Sequence, residues 1–464
     1  MAGVTHVAIV GGGPGGYEAA LVAAQLGADV TVVDSDGIGG SAVLTDCVPS
    51  KTLIATAEVM TGFEVAPELG IKLGGAGVPD VAVDLARVNA RVLELARAQS
   101  DDVERRLTRD GVRVLNGVGR LDGPHRVVAT SPDGKEETLE ADTVLVATGA
   151  APRTLPTAQP DGERILSWDQ VYALDERPEH LVVVGSGVTG AEFAGAYRAL
   201  GIPVTLVSSR DRVLPGEDAD AAEVLEQVFK RRGMTVLSRS RMAGVTRDGD
   251  QVTVTLEDGR EVQGSHCLLA LGSVPRTSGI GLEESGVNLD DGGFVRVDRV
   301  SRTSARGVYA AGDCTGVLML ASVAGMQGRI AMWHFLGDAV SPLDLRTVSS
   351  NVFTAPEIAT VGWSQRAVDA GEIVADVVLL PLATNARAKM QGVQDGFVKV
   401  FCRPGTGIVV GGVVVAPRAS ELIHAIAIAV AENLTADQLA QAFTVYPSMS
   451  GSVAEAARRL HQVR

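Results

Sequence analysis

The hydrophobic pattern opens with an apolar run over residues 6–10, the kind a strand buried on both faces requires. The turn Gly11-Gly12-Gly13-Pro14-Gly15-Gly16 leads into apolar positions at helical spacing as far as Leu26, where Gly27 supplies a C-terminal stop. A second apolar strand, 29–33, ends in Asp34. Pro49 suits the first turn of a helix, and Leu53, Ile54, Ala57 and Met60 continue it at helical spacing. A longer helix is expected over 84–109, closed by Gly111. Short strands follow at 112–116, 126–130 and 137–140, the last two joined by a turn at Asp133-Gly134, and then an apolar strand at 143–147. The Pro- and Gly-containing piece 150–162 reads as an interdomain linker.

The pattern then repeats. A strand at 181–184 runs into Gly185-Ser186-Gly187-Val188-Thr189-Gly190, a helix carrying Glu192, and a strand at 203–207. Strands at 235–237 and 252–256, with a turn at Asp258-Gly259, lead to a strand at 267–271 that runs into Gly272 as 143–147 runs toward Gly149. A short buried strand at 308–311 ends in Gly312-Asp313, and a helix begins near Leu320. From Ser349 the style changes to strands at 374–380, 396–401 and 408–415 among helices at 364–370, 419–432 and 436–441. The fold class is α/β: two Rossmann-like dinucleotide-binding domains, with a C-terminal α+β domain over 346–464. The first dinucleotide domain is expected to be discontinuous, 1–149 and 273–345, and the second to occupy 150–272.

Composition narrows the functional classes. A net charge of −15 over 464 residues disfavours a nucleic-acid partner, which requires a basic face. The four cysteines have neither disulfide-framework nor zinc spacing, so no metal site is expected and a reducing cytoplasm fits. No basic n-region precedes the first strand, and the longest apolar run, 422–431, contains His424 and reads as a core helix too short to span a bilayer.

The two glycine motifs carry the chemistry. Gly11, Gly13 and Gly16 let the chain turn and let backbone approach a pyrophosphate at a helix N-terminus, and Asp34, eighteen residues after Gly16, is placed to accept from ribose hydroxyls. Gly185, Gly187 and Gly190 repeat this, but the acid's place is taken by Ser208-Ser209-Arg210. An arginine with hydroxyl donors favours a 2′-phosphate, so Ser208 and Arg210 point to NADPH, with NADH possible. Asp313 stands at a strand's C-terminal edge, where open α/β sheets bind ligands. Cys47 sits at a helix N-terminus, where partial positive charge lowers a thiol pKa, with no other cysteine near it in the chain.

Two dinucleotide folds imply two dinucleotides, commonly one flavin and one nicotinamide. With Ala147-Thr148-Gly149, Glu192, residues 309–313 and Phe353-Thr354-Ala355-Pro356-Glu357, nearly the whole chain resembles the flavoprotein disulfide reductases, among them lipoamide dehydrogenase, glutathione reductase and mercuric reductase. The resemblance implies FAD at the first site, with Asp34 on the adenosine ribose, Gly149 beside the cofactor and Asp313 on the ribityl chain. It further implies NAD(P)H at the second site, an ion pair of Lys51 with Glu192 beside the flavin, and a homodimer through the C-terminal domain.

The departures from that family decide the expected acceptor. Its redox motif runs roughly G-G-T-C-x-x-x-x-C-x-P-S-K; here Ser41 stands for the threonine and Ala42 for the first cysteine, while Cys47, Pro49, Ser50 and Lys51 match. Alanine cannot attack a disulfide. The family's general acid–base histidine and its glutamate partner are Tyr446 and Gly451. The expected activity is therefore an NAD(P)H dehydrogenase passing two electrons through FAD to a quinone, Tyr446 supplying a hydrogen-bond donor. Alternative readings are a single-cysteine peroxide or oxygen reductase using Cys47, and a non-catalytic flavin-binding redox reporter.

Overall fold

The computed structural model describes residues 4–71 and 82–461, which divide into two compact units. The first comprises residues 4–52, 89–153 and 272–344. Its centre is a five-stranded parallel sheet in the order Val308–Ala310, Thr143–Val146, His6–Val10, Asp29–Asp34, Arg113–Asn116. His6–Val10 pairs on both sides, which is why its run is apolar without alternation. Ile9, Val30 and Val32 pack under the helices Pro14–Gln25 and Ala321–Leu336 on one face, through Ala19, Ala20, Ala23, Ala331 and Met332. The other face, Ala8, Val10 and Val33, meets Leu121, Val127 and Ala129 of a three-stranded antiparallel sheet, Val118–Leu121, Arg126–Thr130 and Glu136–Glu140.

The second unit comprises residues 53–88, 154–271 and 345–464. It contains a second parallel sheet, Thr235–Leu237, Val204–Val207, Leu181–Val184, His266–Leu269, Ile165–Ser167, backed by Val188–Ala199 and Ala219–Arg231. The strand after the glycine motif sits at the same inner position in both sheets, so the repeat in sequence is a repeat in topology. The C-terminal part is a five-stranded antiparallel sheet, Ser349–Val352, Glu357–Gly362, Val409–Ala416, Phe397–Cys402, Asp376–Pro381. The helices Ala419–Ala431, Ala436–Gln441 and Gly451–Arg459 close its core through Ile423, Ile426, Val453 and Ala456.

Several elements differ from the sequence reading. The expected linker begins with a strand, Ala150–Pro152, which pairs antiparallel with Ser273–Pro275; a proline at a ribbon edge needs no ladder donor there. Helix Gly451–Arg459 was not expected, although Ser452, Val453, Ala456 and Ala457 form its buried stripe. Its glycine start hides a period that runs for only nine residues. Strand Glu357–Gly362 is likewise new, and reads as one only once it pairs with Val409–Ala416.

Candidate active site

In the first unit the glycine turn is fixed by contact. A Cβ on Gly16 would lie 1.9 Å from the Gly11 carbonyl oxygen, and one on Gly11 (φ 106°) 2.2 Å from that of Ala147. Backbone therefore touches backbone, and the turn is packed against the next sheet strand. At Gly13 the nearest atom to an added Cβ is Gly40 Cα at 3.9 Å, and helix Pro14–Gln25 begins there with no side-chain cap. The helix N-terminus thus opens on a cradle, which suits a pyrophosphate. Asp34 closes one side, accepting from the Gly12 N–H at 2.6 Å, Gly37 at 2.7 Å and Asp36 at 2.8 Å. Arg276 pairs with Asp36 at 2.6 Å.

Further along the same sheet edge, Gly149 takes φ 70° directly after strand Thr143–Val146. Asp313 follows strand Val308–Ala310, its approach fixed by the Gly312 N–H donating to Gln327 Oε1 at 2.8 Å. Burial, with Asp46 adding like charge, pushes the Asp313 carboxyl up to about 6. Cys47 is the first residue of helix Cys47–Val65 and is partly exposed, with Lys51 one turn on. Ala42 lies in the short helix Gly40–Leu44. All four cysteines are free thiols. Cys314 in this unit is buried and pushed up to about 11 by desolvation.

The second unit repeats the cradle. A Cβ on Gly190 would lie 1.8 Å from the Gly185 oxygen, and one on Gly185 (φ 110°) 2.1 Å from that of Ala270, while nothing lies within 4 Å of Gly187. Glu192, one turn into helix Val188–Ala199, is buried, and its Oε1 accepts from the Phe353 N–H at 2.8 Å. At the end of strand Val204–Val207 the structure separates two residues that the sequence reading took together. Ser208 is fully buried, sharing a 2.6 Å hydrogen bond with Ser186 and accepting from the Arg210 N–H at 3.1 Å, so its hydroxyl shapes the loop. Arg210 is exposed. Tyr446 is 86% exposed, in a loop with Phe443 and Val445 that is exposed throughout. Cys267 and Cys402 are buried, and desolvation raises both thiols.

Asp46 and Gln327 were missed by sequence reasoning. Each reaches its neighbours through strand order or helix packing rather than through spacing along the chain. Among the described residues no group of three potential ligands gathers for a metal, and no helix is long and apolar enough to cross a membrane.

Two cradles of this kind, on two parallel sheets joined to an antiparallel domain, define a dinucleotide-dependent oxidoreductase. Residues 5–328 match the model of the pyridine nucleotide-disulphide oxidoreductases and 348–457 that of their dimerisation domain. The chain belongs to this family of flavin-dependent oxidoreductases, whose members bind FAD and pyridine nucleotides. It is 58% identical to the NAD(P)H dehydrogenase (quinone) of Mycobacterium tuberculosis, over 98% of this chain and 94% of that protein. It is 34% identical to the dihydrolipoyl dehydrogenase of Chlorobaculum parvum, over 97% and 96%. The crystal structure of LpdA from Mycobacterium tuberculosis superposes with a TM-score of 0.95 at 57% identity, covering 99% of this chain and 100% of that one. The flavoprotein disulfide reductase RclA of Escherichia coli, at 23% identity and a TM-score of 0.85, shares the fold.

Proposed function

We propose that this protein is an NAD(P)H dehydrogenase that delivers two electrons to a quinone without thiol chemistry, and that NADPH is the preferred donor. One observation carries the reading. Cys47 is partly exposed while Cys267, Cys314 and Cys402 are buried free thiols, and Ala42 occupies the place of the attacking redox cysteine. Passing two electrons to a disulfide substrate through protein sulfur requires two thiols, an attacking one and a resolving one. A flat oxidant accepted directly at the ring needs neither. The 58% identity with a protein named NAD(P)H dehydrogenase (quinone) supports the same acceptor.

In this reading Gly11, Gly13 and Gly16 hold the FAD pyrophosphate, Asp34 its adenosine ribose and Asp313 its ribityl chain, with Gly149 beside them. Gly185, Gly187 and Gly190 hold the nicotinamide dinucleotide, and Arg210 meets its 2′-phosphate. Bound flavin supplies the two-electron carrier between donor and acceptor. Lys51 places a cation to favour negative charge on the reduced ring, and Glu192 is held by the Phe353 N–H. Tyr446 offers a hydroxyl donor to a quinone carbonyl. Two copies assemble through the region matched by the dimerisation-domain model, in the cytoplasm, where free thiols persist.

The test is NADPH oxidation by the purified protein with benzoquinone or naphthoquinone, beside lipoamide and glutathione disulfide. Rapid turnover with the quinones and essentially none with the disulfides is expected. Comparable turnover with either disulfide overturns the reading.

A further inference from the structure

The strand order brings a second basic loop to the end of strand Val204–Val207. Thr235–Leu237 pairs parallel to it, so residues 238–240 emerge beside 208–212. Three backbone bonds tie the loops together: Ser208 N–H to Leu237 O at 2.8 Å, Ser240 N–H to Ser208 O at 2.7 Å, and Arg239 N–H to Arg210 O at 2.6 Å. Arg239 is held at φ 52°, a left-handed conformation unfavourable for a residue with a Cβ. Arg210 and Arg239 are exposed, and neither pairs with a carboxylate among the described residues. The Arg212 Nε is buried without a hydrogen-bond partner. The loop's own acid is Asp211, and Glu226 Oε2 accepts from the Val213 N–H at 3.2 Å. Several arginines elsewhere are matched, as in Arg113–Glu137, Arg126–Glu140 and Arg247–Glu163. Two exposed arginines on hydrogen-bonded loops, one of which also bonds the glycine turn through the Leu214 N–H to Ser186 O at 2.8 Å, fit a bound anion carrying two charges.

We propose that Arg239 is a specificity-determining residue that reads the 2′-phosphate of NADPH jointly with Arg210. The inference rests on the reading that the second cradle takes NADPH. Arg210 comes from the loop that sequence reasoning associates with the ribose, whereas Arg239 comes from the next strand and is delivered only by parallel pairing.

The experiment uses the holoenzyme with Arg239→Gln, Arg210→Gln and the double variant. It measures binding of 2′,5′-ADP and of ADP lacking the 2′-phosphate, and KM and kcat for NADPH and NADH. Arg239→Gln is expected to weaken 2′,5′-ADP and to raise KM for NADPH by about tenfold, the scale of one charge-assisted hydrogen bond. ADP affinity, KM for NADH and kcat should not move. If Arg210→Gln changes the 2′,5′-ADP to ADP ratio and Arg239→Gln does not, the inference falls and the NADPH reading stands. If neither single variant nor the double changes that ratio, both fall. Equal weakening of the two ligands by Arg239→Gln shows a merely structural role and also overturns the inference.

Discussion

Asp313 and Cys47 carry opposite expectations. Burial favours the protonated form of Asp313, so its folded value, about 6, lies above its ordinary 3.8. The resulting stability is complete below the ordinary value and is lost as pH rises through 6, leaving an ionised, desolvated carboxylate as a cost of about 3 kcal/mol at neutrality. In flavin-free protein, Asp313→Asn should therefore raise the melting temperature at pH 7, with the difference vanishing toward pH 4, and should weaken FAD binding. A melting difference that does not depend on pH would remove this account. Cys47 faces a simpler trial. With electrons leaving from the ring, Cys47→Ser should keep quinone turnover within about threefold of the parent, less than 1 kcal/mol of barrier. A hundredfold loss would restore sulfur to the pathway.

At the scale of elements, the C-terminal sheet and helix Ala219–Arg231 are joined by an ion cluster around a buried lysine. Lys399, on strand Phe397–Cys402, is 2% exposed and donates to Asp218 Oδ2 at 2.8 Å and Asp220 Oδ2 at 2.7 Å. Asp218 also caps the helix, accepting from the Asp220 and Ala221 N–H groups. Removing one partner of a buried pair strands the other charge, so Lys399→Met should cost about 3 kcal/mol in chemical denaturation, and adding Asp218→Asn should recover part of it. Additive losses in the double variant would show that the pair is not coupled. Neither the lysine nor the two aspartates could be matched from the sequence, because about 180 residues separate them. By contrast, both strand–glycine–helix units were legible. Their apolar runs are continuous, and backbone contact leaves no room for a side chain at Gly16 or Gly190.

For the whole molecule, the expectation concerns where electrons reside. A redox disulfide opens before the flavin is reduced and yields a long-wavelength thiolate–flavin band at the two-electron level. Here no pair of exposed cysteines exists to accept them. Anaerobic titration with dithionite should bleach the flavin absorbance directly, without that band; its appearance would reveal a working dithiol.

What the sequence determined by itself was local chemistry: the two glycine cradles, Asp34 at one strand end and Arg210 at the other, and the absence of sulfur at Ala42 and of imidazole at Tyr446. Each follows from residue type and short spacing, which covalent geometry converts directly into a turn, a helix start or a missing nucleophile. Tertiary structure alone decided which distant groups meet. Parallel pairing set Arg239 beside Arg210, packing drew the Ser208 hydroxyl inward to Ser186, and burial raised Asp313. Strand order and desolvation are properties of the assembled core, and no local spacing encodes them.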